Sequence, residues 1–129
     1  MRRIAIFALI LLLIAGIAYG KEYEYKRKAG EYEVEVKIDR NPPVAGDNNM
    51  KIEIKDASGK YVTDAKVVVE YSMPPMPGMP PMNYKTNGAL KGNEYRATMN
   101  LSMAGSWNIA VKIIRAGKIS TMKFTVDAK

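Results

Sequence analysis

The sequence predicts an all-β fold, an immunoglobulin-like β-sandwich of about seven strands, on three observations. Apolar residues recur at every second position in one segment after another. Clusters of Gly, Asn and Pro break these segments at short, regular intervals. Nothing after residue 20 sustains a helical period. Alternation of that kind gives a strand one dry and one wet face, and two sheets can then pack their dry faces together.

The strands are taken in chain order. In EYEVEVKID, Tyr32, Val34, Val36 and Ile38 alternate with charged residues. The connection NPPVAGDNN leads to NMKIEIKD, where Met50, Ile52 and Ile54 alternate with Lys51, Glu53 and Lys55. After the turn DASGK, the segment DAKVVVEYSM sets Ala65, Val67, Val69, Tyr71 and Met73 on one face, with Val68 blurring the other. NYKTN is a short strand, and Gly88 and Gly92-Asn93 punctuate the way to EYRATMNL, with Tyr95, Ala97, Met99 and Leu101 inward. SWNIAVKII turns Trp107, Ile109, Val111 and Ile113 inward. The tight turn Arg115-Ala116-Gly117-Lys118 then reverses the chain into ISTMKFTVD, with Met122, Phe124 and Val126 inward. Met50, Met99, Met122 and Trp107 are core residues in this scheme, with Val67, Val69 and Phe124 expected around the indole.

Three regions precede or make up the fold. Residues 1–20 carry Arg2 and Arg3, an apolar run from Ile4 to Ala18, and small residues at Ala18 and Gly20. That is the pattern of a secretory signal. The run is short of the roughly 20 residues of a spanning helix, although an N-terminal anchor is the alternative reading. Either reading exports the rest of the chain, to the periplasm or the cell surface. Residues 21–30 form a charged linker or an added edge strand, and residues 31–129 form the domain.

Composition excludes whole classes of chemistry. The chain has no cysteine and no histidine, so it has no disulfide, no Ser-His-Asp or Cys-His nucleophile and no imidazole site for zinc or copper(II). No other nucleophile motif is present, and the expectation is that the protein is not an enzyme. The net charge of +7, or +5 without Arg2 and Arg3, comes with Lys and Glu interleaved along the strands. That is a solvated face rather than a nucleic-acid footprint.

What remains is the segment MPPMPGMPPM, with Met73, Met76, Met79 and Met82 at intervals of three. Each proline fixes its own φ and steers the preceding residue toward extended geometry, so a polyproline II course is expected. That helix has three residues per turn and puts the four thioethers on one side, with Cα atoms about 9 Å apart. Two sulfurs meet on one ion only with extended rotamers or a bend, and Gly78 is where a bend costs least. Thioethers are soft and neutral, and soft ligands select Cu(I) over Zn(II), Ca(II) or Mg(II). The alternative is a hydrophobic strip that caps the sandwich or docks a partner, because methionine also suits adaptable contact surfaces. In an immunoglobulin-like order the third and sixth strands are antiparallel neighbours. The turn Met103-Ala104-Gly105 then shares an end of the domain with the methionine loop, and Met103 becomes a fifth candidate ligand.

DASGKYVTDAKVVVEYSMPPMPGMPPM, then GNEYRATMNLSMAGSWNIAVKI, then the closing KFTV, resemble the YtkA-like and FixH-like exported domains over roughly residues 48 to 126. The shared features are an approach strand leading to a Met-Pro-rich loop and the M-A-G-x-W turn of Met103 to Trp107. The resemblance implies an immunoglobulin-like sandwich outside the cytoplasmic membrane. FixH-like proteins are associated with assembling copper-containing terminal oxidases and usually keep an N-terminal anchor, whereas this chain shows a cleavage pattern. The expectation is therefore an exported accessory protein. It binds Cu(I) through Met73, Met76, Met79, Met82 and Met103, in copper delivery to a membrane oxidase or copper-transport complex or in copper tolerance. The alternative is a non-metal module that docks through the same loop.

Overall fold

The computed structural model describes residues 23–129 apart from Met76, and the expected signal or anchor of residues 1–20 lies outside the described residues. Among the described residues, nine strands make two antiparallel sheets packed as a sandwich. They are β1 (Tyr23–Ala29), β2 (Tyr32–Ile38), β3 (Gly46–Lys55), β4 (Lys66–Met73), β5 (Met82–Asn87), β6 (Ala89–Lys91), β7 (Glu94–Leu101), β8 (Gly105–Arg115) and β9 (Lys118–Ala128). One sheet runs β1-β2-β3-β7-β6 and the other β5-β4-β8-β9. All seven expected strands are present. Two more flank them.

The first addition is β1, in which Tyr23–Ala29 of the charged segment form an edge strand. Its register sets Tyr25 opposite Val36 and Ala29 opposite Tyr32, so its tyrosines share the dry face of β2. The Tyr25 ring lies on Phe124 of β9, 4.7 Å between centroids. A strand that reads as charged is thus held by the aromatic half of its alternation, and it closes one side of the sandwich. The second addition is β6, three exposed residues paired to β7. Gly88 passes the chain from β5 in one sheet to β6 in the other. Its amide donates to the Val67 carbonyl, and a Cβ there would crowd Val67 and Tyr95.

The predicted inward residues line the core. Trp107, Val34, Val36, Ile52, Met99, Leu101 and Val111 have no exposed surface at all. Ala65 is only half-buried. The surroundings of Trp107 differ from the expectation. Its ring neighbours are Tyr71 and Tyr84, each 6.1 Å between centroids, while Phe124 is engaged with Tyr25. Register explains this: Val69 and Val67 lie opposite Val111 and Ile113, well along β8 from the indole.

Two polar groups inside the sandwich are satisfied locally. The hydroxyl oxygen of buried Tyr95 accepts the Ala65 amide at 3.0 Å, tying the β3–β4 connection to β7. Asn48 is fully buried. Its side-chain oxygen accepts the Val44 amide at 2.9 Å, and its amide donates to the carbonyls of Val44 at 2.8 Å and Gly46 at 3.0 Å. Lys129 closes the same corner by backbone hydrogen bonds with Pro43 and Ala45.

Candidate functional site

β4 and β8 are antiparallel neighbours, with Ser72 opposite Asn108 and Tyr71 opposite Ile109. The end of β4 therefore meets the start of β8. On the other side β4 pairs with β5, and the terminal pair of that ladder is Met73 with Met82. The methionine segment is thus a hairpin connection whose two ends are methionines facing each other. Directly opposed residues in an antiparallel ladder have Cα atoms about 4.5–5.5 Å apart and side chains on one face. That is well inside the spacing of a straight polyproline course. The bend falls at Gly78, where φ is +78°.

Each methionine has a distinct setting. Met73 is 8% exposed. Its terminal methyl would lie 2.8 Å from a Cβ on Gly105, a residue at φ +133°, so its side chain rests against the bare backbone at the start of β8. Met82 is half-buried, and its sulfur accepts a hydrogen bond from the Ser102 hydroxyl at 3.7 Å. Met103 is half-buried in the turn between β7 and β8, and its carbonyl accepts the Trp107 indole N–H at 3.0 Å. Met79 is at the exposed tip of the hairpin. Met76 lies outside the described residues. The structure therefore brings Met73 and Met82 together, sets both against the Ser102–Gly105 turn that carries Met103, and places Met79 above them.

Three aromatic rings floor this pole. Tyr71, Tyr84 and Trp107 form a triangle with centroid separations of 5.6, 6.1 and 6.1 Å. Tyr84 is 42% exposed although it shares the inward parity of Met82, because β5 is the edge of its sheet and the rim stays open there. The indole hydrogen bond to Met103 couples the floor to the turn.

Chemically the pole offers neutral, polarisable sulfur beside aromatic faces. Among the described residues no group of three or more carboxylates comes together as a hard-cation site. Thioethers need no deprotonation, so capture of a soft cation here would release no proton. The same pole also presents a proline-rich, solvent-exposed surface from Pro74 to Pro81 around the one undescribed residue.

Three participants escaped the sequence reading. Ser102 is an ordinary turn serine until the β7–β8 turn is folded against β5. Tyr84 carried a usable signal, since it stands two residues after Met82 and so shares its face. Gly105 read as turn punctuation, but the close approach of Met73 is what makes its missing side chain matter.

Residues 25–112, more than half of the chain, match the YtkA-like family. Curated proteins give no match. Among solved structures, FetP of uropathogenic E. coli strain F11, recombinantly expressed in the periplasm of E. coli, aligns with a TM-score of 0.47 and 10% identity. The alignment covers 84% of this chain and 95% of that one. The family match opens inside β1 and closes inside β8, so it contains the whole methionine hairpin and the Met103 turn. The chain belongs to the YtkA-like family.

Proposed function

We propose that this is an exported accessory protein that binds Cu(I) at the methionine pole, with Met73, Met82 and Met103 as the inner ligands, Met79 at the hairpin tip, and Met76 as a fifth candidate sulfur from the same segment. The observation that carries this reading is the cross-strand pair Met73–Met82 set against the Met103 turn. In a chain without Cys or His, thioether is the soft ligand available, and soft ligands favour Cu(I). An oxidising compartment suits it, since a thiol there would be drawn into disulfides. The partner in this reading is a membrane oxidase or copper-transport complex, for which the protein carries or holds the ion.

The test is an anaerobic competition titration of the full chain against a Cu(I)-chelating dye, repeated with Ag(I) and followed also by Trp107 fluorescence. The only tryptophan is hydrogen-bonded to the Met103 carbonyl, so occupancy should perturb its emission. Replacing Met76, Met79 and Met82 by leucine should abolish competition and the fluorescence change. It should shift stability by no more than about 1 kcal/mol, as near-isosteric swaps do. Zn(II) should leave both proteins unchanged. A wild type that does not compete for Cu(I), yet captures a membrane complex as well as its leucine variant does, would make the hairpin a contact strip and end the metal reading.

A further inference from the structure

On the opposite side of the β5-β4-β8-β9 sheet from the core there is a broad depression of about 960 Å³. Its floor is Ala110 of β8, a small side chain in a row of long ones. By register that row runs Lys85, Glu70, Ala110, Lys123 across the four strands. The next row toward the methionine pole is Asn83, Ser72, Asn108, Thr125, all polar and uncharged.

The charges lining the depression do not cancel. Arg27, Lys85, Lys112 and Lys123 stand against Glu70 alone, four cations less one carboxylate, a net +3. Glu70 is already engaged, with its carboxylate 3.1 Å from the Lys112 ammonium. Arg27 reaches in from β1, its guanidinium 4.8 Å from the Tyr25 ring centre and one N–H donating to the Lys123 carbonyl at 3.5 Å. Neither contact neutralises it. Lys85 and Lys123 are exposed and have no carboxylate within ion-pair distance among the described residues.

The outward face of the other sheet is built differently. Its strands carry Lys26, Lys28, Lys37, Lys51, Lys55, Lys91 and Arg96 against Glu24, Glu33, Glu35, Asp47, Glu53 and Glu94. Seven cations face six carboxylates there, so the face nearly cancels as a whole, with the row Lys37, Lys51, Arg96 lying beside the row Glu35, Glu53, Glu94. Solubility alone is served by that pattern. The uncompensated cations around Ala110 need a different account.

We infer that this depression binds an acidic, extended segment of a partner protein. Lys85 and Lys123 stand three strand spacings apart, about 14 Å, which spans one extended chain with a side chain reaching to either wall. Asn83, Ser72 and Asn108 supply donors and acceptors for the peptide groups of such a chain, and the cations take its carboxylates. A flat anionic bilayer would touch the lysine tips at the rim and leave the Ala110 floor unused. The inference is independent of the metal reading, because no methionine lines the depression.

The probe is a fluorescein-labelled oligoglutamate peptide, titrated by anisotropy into the full chain without metal at low and at physiological ionic strength. The double reversal Lys85→Glu with Lys123→Glu should weaken binding by about tenfold or more, as removal of paired charge at an interface does. The equivalent reversal on the other face, Lys37→Glu with Lys51→Glu, should have little effect. Ala110→Ile keeps every charge and fills the floor, and it should also weaken binding. Equal losses from both double reversals, or no loss from Ala110→Ile, would reduce the effect to overall charge and overturn the inference. Absence of peptide binding by the wild type would overturn it too. Binding to phosphatidylglycerol vesicles without binding to peptide would assign the face to lipid instead.

Discussion

At one end of the sandwich the chain reverses through short turns that satisfy their own backbone. At the other end, segments far apart in sequence hold one another. The first end contains Gly30, the Asp56–Lys60 turn, Gly92 and the Ala116–Gly117 turn. Asp56 accepts hydrogen bonds from the Ser58 and Lys60 amides within five residues. Ala116 and Gly117, at φ +52° and +78°, make the two-residue turn whose twist matches that of the flanking strands. The methionine end has its own buried local bonds, at Asn48 and between Trp107 and Met103, and adds to them ties between distant segments: Lys129 with Pro43 and Ala45, Ser102 with Met82, and Met73 against Gly105. Exposed local turns build one end, whereas buried groups and ties between distant segments build the other. Substitutions at the methionine end should therefore cost more stability, and they should disturb the candidate site as well.

The largest effect is expected at Trp107. The indole has no exposed surface, contacts two tyrosines and holds the Met103 carbonyl. Trp107→Ala should destabilise by about 3–5 kcal/mol, the usual range for an aromatic removed from a core. Urea denaturation reads this directly. A loss below about 1 kcal/mol would mean that the ring does not organise this end, and the contrast between the two ends would fail.

Asn48 comes next. Its side chain makes three hydrogen bonds to the backbone of Val44 and Gly46 in a site closed to solvent. Asn48→Ala should cost about 1–3 kcal/mol, because it strands those polar groups. Asn48→Asp should be no better at neutral pH, since a carboxylate would face the two carbonyls that the amide now donates to. Hydrogen exchange at Val44 should accelerate in the alanine variant. An unchanged rate there, with unchanged stability, would show that the corner is held by the Lys129 contacts alone.

The same division separates the legible from the illegible. The strands and their inward faces can be read because alternation is a local property, and each expected run from Tyr32 to Val126 is a strand. The turn at Ala116-Gly117 is readable for the same reason. β1 is ambiguous in sequence, since its charges conceal that Tyr25 is held by Phe124, almost a hundred residues later. The ring partners of Trp107 differ from the expected ones because they depend on register, which alternation alone does not specify. At the candidate site, the neighbourhood of the hairpin and the Met103 turn comes from strand order. The pairing of Met73 with Met82, the reach of Ser102 and the space left by Gly105 require the fold.

The smallest effect belongs to the other end. The Asp56 carboxylate accepts the Ser58 hydroxyl at 2.7 Å and the amides of Ser58 and Lys60 at 3.0 Å. Led by the Ser58 hydroxyl, these bonds hold its pKa below the usual carboxylate value. Hydrogen bonds to the charged form favour that form, so the folded protein releases this proton more readily than the unfolded chain does. The contribution to stability is therefore fully present above the unfolded pKa, about 3.9. It disappears as pH falls through the lower folded value. Asp56→Asn keeps an acceptor oxygen but not the charge, so it should lower the urea midpoint slightly at pH 7. The gap between the two proteins should then close in acid, below the ordinary carboxylate range. A gap that stays constant with pH would show that the carboxylate charge is not what the turn uses. A gap as large as the loss at Trp107 would erase the difference between the two ends.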